Sequence, residues 1–237
     1  MKEIKLPKVA VCCPTYDGKN YCFDRWVEQY NKLSYPNKVL FVVDNSATKD
    51  NWKRICAMGI KCKYINPKNK PLKQVLAESH EMLRQLAISS EAEFFIHWEA
   101  DVFKDDPDLI QNLMLSKKQV INAYYPIKTG AERELSIMIA ADDNHMLGRH
   151  VKAFHLGDDC PDFIDGSVKV CFSSGLGLIM IHKSVFKKIP FRCFPDNEAL
   201  PDFIFSHDLW FAGIFNYVDT SIYCRHENQE LVKPDKK

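Results

Sequence analysis

A series of short apolar runs marks the first hundred residues, and each is stopped by residues that turn a chain. Lys8–Cys13 runs into Pro14-Thr15-Tyr16-Asp17-Gly18. Val39–Val43 ends at Asp44-Asn45-Ser46, and Lys61–Ile65 at Asn66-Pro67-Lys68-Asn69. Between these runs, Phe23, Trp26, Val27 and Tyr30 recur at helical spacing, and Leu72, Val75, Leu76, Leu83, Leu86 and Ala87 line one face of a longer helix. Buried strands that alternate with helices need crossover connections, which build a mainly parallel α/β sheet. Ligands of such sheets bind outside the carboxyl ends of the strands. Thr15, Asp44 and the acids that follow the next run therefore fall on one rim.

That next run, Phe94-Phe95-Ile96-His97-Trp98, continues as Glu99-Ala100-Asp101-Val102-Phe103. In extended chain, positions i and i+2 point to the same side, so Glu99 and Asp101 should converge where the strand ends. Buried carboxylates are costly unless paired, protonated or bound to a cation. A divalent metal holding a phosphorylated ligand is one reading. Acids that face water and cap the following turn are the other.

The 237 residues are 46% hydrophobic and 27% charged, enough for one large α/β domain or two small ones. A net charge of +1 gives no global drive toward nucleic acid or anionic membrane. No apolar run approaches the length of a membrane span and no signal pattern opens the sequence. The expected location is cytoplasmic, or the chain is a soluble piece that lacks an anchor. Nine cysteines, several in strand-like contexts and none in a Cys-x-x-Cys pair, favour reduced buried thiols over a disulfide framework or structural zinc.

The second half is less regular. Asp105 or Asp106 can cap a helix whose inner face is Leu109, Ile110 and Leu113. Val120–Tyr125, Leu135–Ala140 and Ala153–His155 are strand-like, separated by polar stretches at 141–150 and 157–166 that read as loops. Val168–Phe172 leads into Ser173-Ser174-Gly175-Leu176-Gly177, where glycine allows a close approach or a tight bend. Ser184 is expected to cap the helix after Leu178–His182. Asp208 reads either as a capping or first-turn acid of an aromatic helix or as a general base in a cleft. Ser221–His226 reads as a last strand that ends in a histidine, and the tail from Lys233 as frayed.

Taken in order, Pro14-Thr15-Tyr16-Asp17, Asp44-Asn45-Ser46, Trp98-Glu99-Ala100-Asp101, Ser173-Ser174-Gly175-Leu176-Gly177, Ser206-His207-Asp208 and Cys224-Arg225-His226 resemble the GT-A glycosyltransferases, family 2 type. The resemblance runs from about Val9 to His226. It implies a mainly parallel Rossmann-like sheet flanked by helices with an irregular mixed α/β acceptor half. The chain would be a single domain, with residues 1–103 binding a nucleotide sugar and residues 104–237 binding acceptor and carrying catalysis. It further implies a metal-dependent, inverting transfer from a nucleotide-diphosphate sugar, UDP-linked by preference, to an acceptor hydroxyl. Pro14, Thr15, Tyr16, Asp44, Asn45 and Glu99 would contact the donor nucleotide. Asp101 and His226 would bind Mn²⁺ or Mg²⁺, the imidazole favouring Mn²⁺. Ser174, Gly175 and His207 would line the sugar and acceptor site, and Asp208 would be the base.

The chain departs from that pattern at His207, where the family has Glu, and at His80-Glu81, where many relatives have Arg-Asn. Lys73 or Arg84 is then expected to supply charge to the diphosphate. The acceptor, whether saccharide, protein, lipid or a modified nucleic-acid base, is not specified. A nucleotidyltransferase of similar build and a non-catalytic nucleotide-sugar-binding module are the competing readings. The first would need a glycine-rich basic loop after the first strand, where only Gly18-Lys19 stands.

Overall fold

The computed structural model describes residues 6–129, 132–140, 151–155, 160–196 and 198–227. Its first half comprises β1 (Val9–Thr15), α1 (Asn20–Lys32), β2 (Lys38–Asp44), α2 (Asp50–Ala57), β3 (Cys62–Tyr64), α3 (Leu72–Ser89), β4 (Phe94–Trp98) and β5 (Val102–Phe103). There follow α4 (Leu109–Leu115), β6 (Val120–Tyr124), β7 (Pro126–Thr129), β8 (Glu132–Ala140), β9 (Val151–His155) and α5 (Cys160–Phe163). The last elements are β10 (Val168–Cys171), β11 (Leu178–His182), α6 (Lys183–Phe186), α7 (Pro201–Phe211), β12 (Asn216–Tyr223) and β13 (Arg225–His226).

Alternation along β1 shows how the layers form. Val9, Val11 and Cys13 join Phe23 and Trp26 of α1 in one apolar cluster. Ala10 and Cys12 join Leu83 and Ala87 of α3 in the other. A strand buried on both faces must lie inside a sheet, and β1 is paired in parallel with β2 on one side and β4 on the other. The full order is β10-β12-β6-β11-β4-β1-β2-β3. Parallel pairing links β3, β2, β1 and β4, and also β12 with β6, while β11 and β10 run antiparallel to their neighbours. The mainly parallel sheet flanked by helices is the one the sequence led to expect. Among the described residues no helix is long and apolar enough to cross a membrane.

Several local expectations change. The stretch after β4 does not continue as strand: Glu99-Ala100-Asp101 is a turn, closed by Val102 N–H donating to the Glu99 carbonyl at 3.2 Å. The last strand breaks at Cys224, leaving β13 as a separate two-residue strand. His182, not Ser184, caps α6: its ring Nδ1 accepts from the Ser184 backbone N–H at 3.3 Å. Helix α4 starts at Leu109 after Asp108, later than an Asp105 or Asp106 cap would place it. The stretch 157–166, read as loop, contains the short helix α5; the stretch 141–150 and the tail from Lys233 lie outside the described residues.

Candidate active site

Two very short strands assemble the centre of the site. Antiparallel pairing of β5 with β13 sets His226 opposite Val102, and the Glu227 N–H donates to the Asp101 carbonyl at 2.8 Å. His226 is thereby fixed beside an acid 125 positions earlier in the chain, its Nε2 lying 3.2 Å from Asp101 Oδ2. Glu99, Asp101 and His226 each offer one ligand atom, all within 4.8 Å of one another. The acids do converge, then, but through a turn and a cross-chain clamp rather than through strand alternation. The Glu99 N–H donates to the Gly177 carbonyl at 2.9 Å and Trp98 Nε1 to the Val102 carbonyl at 2.8 Å, so the turn is tied at both ends.

Burial and neighbouring charges shift the two acids of this triad in opposite directions. Burial acts to raise the Asp101 carboxyl, but the His226 hydrogen bond and the Lys19 charge outweigh it and hold the group down at about 2. Burial pushes Glu99 up, and the neighbouring Asp101 carboxylate adds to the rise. Asp101 is fully buried, yet its Oδ1 has no hydrogen-bond partner. Such an orphaned acceptor calls for an explanation, and a cation supplies one. His226 fits as a ligand too. Both ring nitrogens face acceptors, Nδ1 the Pro126 carbonyl at 2.9 Å and Nε2 the Asp101 Oδ2 at 3.2 Å. Burial acts to lower the imidazole, but the Asp101 hydrogen bond and charge outweigh it and push the group up. A dication that replaces the Nε2 proton would find that nitrogen already aimed at the site.

Gly177 and Tyr125 support the histidine. Tyr125 is buried, its hydroxyl accepts from the Gly177 N–H at 2.8 Å, and its ring meets His226 edge-on at 5.3 Å. A Cβ at position 177 would lie 2.4 Å from Tyr125 Cζ, and Gly175 has a φ of +65°. The glycine-rich stretch thus makes room for the ring that packs on His226. Of the residues expected there for sugar or acceptor, Gly175 borders Tyr125, whereas Ser174 is buried and donates to the Ala123 carbonyl at 3.1 Å.

Beside the triad a cavity of about 500 Å³ opens on the rim of the parallel strands, lined by Pro14, Thr15, Tyr16, Lys19, Asn45 and Glu99 among others. Most of the expected nucleotide contacts are therefore gathered in one place. Thr15 is buried with Oγ1 unpartnered, and Tyr16 is exposed at the mouth. Asp44 sits behind this wall. Its Oδ1 accepts from Ser46 and Asn51 at 2.6 and 2.7 Å, while its buried Oδ2 has no partner. Burial raises Asp44, and the hydrogen bonds from Ser46 and Asn51 offset part of that rise.

The cations expected for the diphosphate are elsewhere. Arg84 donates to both oxygens of Glu81 and to the Phe186 carbonyl, and Lys73 donates to the Pro195 carbonyl at 2.8 Å. Helical geometry turns both away from this cavity; Lys73 instead lines a separate cavity of about 740 Å³ on the outer side of α3, with Phe191 and Arg192. The lysines that do line the cavity beside the triad are Lys19 and Lys70. His80 also lines it, in a buried pair with His97, whose Nε2 lies 2.8 Å from His80 Nδ1.

Helix α7 overturns the capping alternative for Asp208. It begins at Pro201, so Asp208 lies in its later turns and is neither a cap nor a first-turn acid. Arg192 grips the Asp208 carboxylate at two points, 2.8 and 2.6 Å. His207 packs among Phe172, Phe203 and Phe211, with ring centroids 5.3 to 5.7 Å apart. Neither lines the cavity beside the triad. The first-turn acid is Asp202, whose carboxyl is raised by burial and whose charge acts on both Glu99 and Tyr125. Pro201 followed by Asp202, a proline and an acid in the opening turn, is the signal that could have located it.

No protein-family model matches the chain, and no curated protein matches it in sequence. Its fold is that of the GT-A glycosyltransferases. A mannosyltransferase of Pyrobaculum calidifontis, solved with GDP-mannose and Mn²⁺, superposes with a TM-score of 0.60 at 12% identity over 98% of this chain and 59% of that one. TarS residues 1–349 of S. aureus, with UDP, gives 0.57 at 12% identity, over 92% and 60%. GalNAc-T7, with UDP, GalNAc and Mn²⁺, gives 0.62 at 14%, over 93% and 43%. The chain thus spans between 43% and 60% of the length of these structures.

Proposed function

We propose that this chain is a glycosyltransferase that moves a sugar from a nucleotide-diphosphate donor to an acceptor hydroxyl, with a divalent cation held by Asp101, His226 and Glu99. The observation that carries this reading is the convergence of those ligand atoms within 4.8 Å, at the edge of a cavity lined by Thr15, Tyr16 and Asn45. The solved structures of like fold that were captured with UDP or GDP-mannose, two of them with Mn²⁺, support it. In this reading residues 1–103 form the donor half and residues 104–237 the acceptor half of one unit.

The cation, when bound, supplies positive charge that offsets the negative charge developing on the leaving diphosphate. Tyr16 and Thr15 hold the nucleoside at the mouth of the cavity, and Asp44 is an acceptor behind them. Asp202 is the general base. Its carboxyl is raised by burial, which brings its proton affinity closer to that of the hydroxyl proton it must take. A base on the face of the sugar opposite the leaving diphosphate gives inversion. Mn²⁺ is the first metal to test, and UDP-linked sugars the first donors. Saccharide, protein, lipid and nucleic-acid acceptors all remain within the proposal.

The test is a panel of UDP- and GDP-sugars with Mn²⁺, read first by thermal shift and then by nucleotide release. Asp202→Asn should slow turnover by at least ~100-fold, the usual contribution of a general base, with donor affinity kept. Asp208→Asn should stay within about threefold of the parent, since its loss removes an exposed ion pair. The opposite pattern would return the base assignment to Asp208. Donor binding with no hydrolysis or transfer under any condition would favour a binding module.

A further inference from the structure

Lys19 is delivered to the triad by a single turn, Asp17–Lys19, between β1 and α1. Its ammonium is ion-paired with Asp101 Oδ2, the same oxygen that lies 3.2 Å from His226 Nε2. The side chain also lines the cavity proposed for the donor, where it keeps 23% of its surface exposed. Glu99 adds a second charge that acts on the same ammonium. One lysine therefore stands at the junction of the cation site and the cavity.

We infer that Lys19 serves as a resident cation: it occupies Asp101 while no metal is bound, and is displaced into the cavity by the metal to bind the diphosphate of the donor. The inference rests on the cation site proposed above. A dication on either oxygen of Asp101 comes within a few ångströms of an ammonium held on Oδ2, and like charges at such range repel strongly in a poorly solvated site. The carboxylate held by Lys19 is then surrendered, and the flexible four-carbon stem lets the ammonium swing. The cavity that the side chain already lines is the space open to it. A diphosphate is the partner whose charge matches, and it would be met by metal on one side and lysine on the other. Lys70, the other lysine of this cavity, is engaged by Glu78.

The competition is measurable without catalysis. Mn²⁺ binding to the nucleotide-free protein, followed by the loss of free Mn²⁺ signal in electron paramagnetic resonance, should tighten by about tenfold in Lys19→Met, because a competing charge is removed. With Mn²⁺ saturating, UDP and GDP affinity of the same variant should fall by about tenfold or more, since a charged hydrogen bond to phosphate is lost. Lys19→Arg should keep nucleotide affinity within about threefold. Unchanged or weakened Mn²⁺ binding in Lys19→Met overturns the inference, as does tighter Mn²⁺ with no loss of nucleotide. If the parent binds Mn²⁺ but neither nucleotide, the nucleotide-sugar reading fails, while the Mn²⁺ comparison still decides whether lysine and metal compete. If Lys19→Met does not fold, Lys19→Gln gives the same pair of measurements.

Discussion

Gly177→Ala would carry a disturbance of packing directly into the proposed cation site. The new methyl would lie 2.4 Å from Cζ and 2.5 Å from Cε1 of Tyr125, where ordinary contact begins near 3.4 Å. The ring would have to retreat by about 1 Å, and Tyr125 is buried with no space to do so freely. Overpacking of that kind costs about 1–3 kcal/mol, which for a chain of this length lowers the melting temperature by roughly 2–12 °C. The retreating ring also loses its edge contact with His226, so Mn²⁺ affinity should fall by about three- to tenfold. Urea unfolding and Mn²⁺ binding are measured on Gly177→Ala, Tyr125→Ala and the double variant. If the collision is the cause, Gly177→Ala costs under about 0.5 kcal/mol once Tyr125 is truncated, a coupling that a double-mutant cycle reads directly. Equal losses in both backgrounds would refute the reasoning. So would a Gly177→Ala protein as stable and as tight for metal as its parent.

Further outcomes follow from other parts of the structure. Burial lowers His97 from 6.5 to about 4, and it lowers His80 well below its ordinary value with the His97 charge adding to the effect. Both rings are therefore neutral in the folded protein while the unfolded chain takes up protons below 6.5, so the stability they confer is complete above pH 6.5 and is lost as pH falls toward 4. For His97 alone the loss is about 3 kcal/mol. Urea unfolding between these limits should show a slope that flattens in His97→Gln, and an equal slope in the variant would contradict it. Tyr16→Ala, at the exposed mouth of the cavity, should weaken UDP binding by ~1–3 kcal/mol if it stacks on the base, with the melting temperature unchanged. Arg192→Ala should lower stability by less than about 1 kcal/mol, as expected for an exposed ion pair with Asp208.

What was legible in the sequence depended on how each feature is encoded. The runs at β1, β2 and β4 are apolar on both faces, so they could be recognised as interior strands and their ends as the ligand rim. Glu99 and Asp101 stood out for the same reason, as charge where none is tolerated. The pairing that brings His226 to Asp101 involves only Val102–Phe103 and Arg225–His226, too short to leave a periodic pattern. Charge alone marks Arg84 and Lys73, but the face of α3 they occupy is fixed by which residues it buries, and Arg84 turns with Glu81 away from the cavity. Asp208 stands out as an acid in an aromatic helix and as the match to the acid of the resembled family's Glu-Asp pair, but the helix starts at Pro201, which makes Asp202 its first-turn acid. Lys19 reaches the triad through a single turn whose direction no spacing rule reports. Gly175 and Gly177 answer to the Tyr125 ring that lies across them, a residue too far back in the chain for any local pattern to connect to them.

The most direct test of the central claim is isothermal titration of UDP and GDP, and of their sugars, into the protein with Mn²⁺ and again with chelator. Binding of at least one nucleotide should require the metal and should be abolished in Asp101→Ala and strongly weakened in His226→Ala, while both variants stay folded. Nucleotide binding that is equally tight in chelator, or undiminished in Asp101→Ala, would contradict a cation site at Glu99, Asp101 and His226.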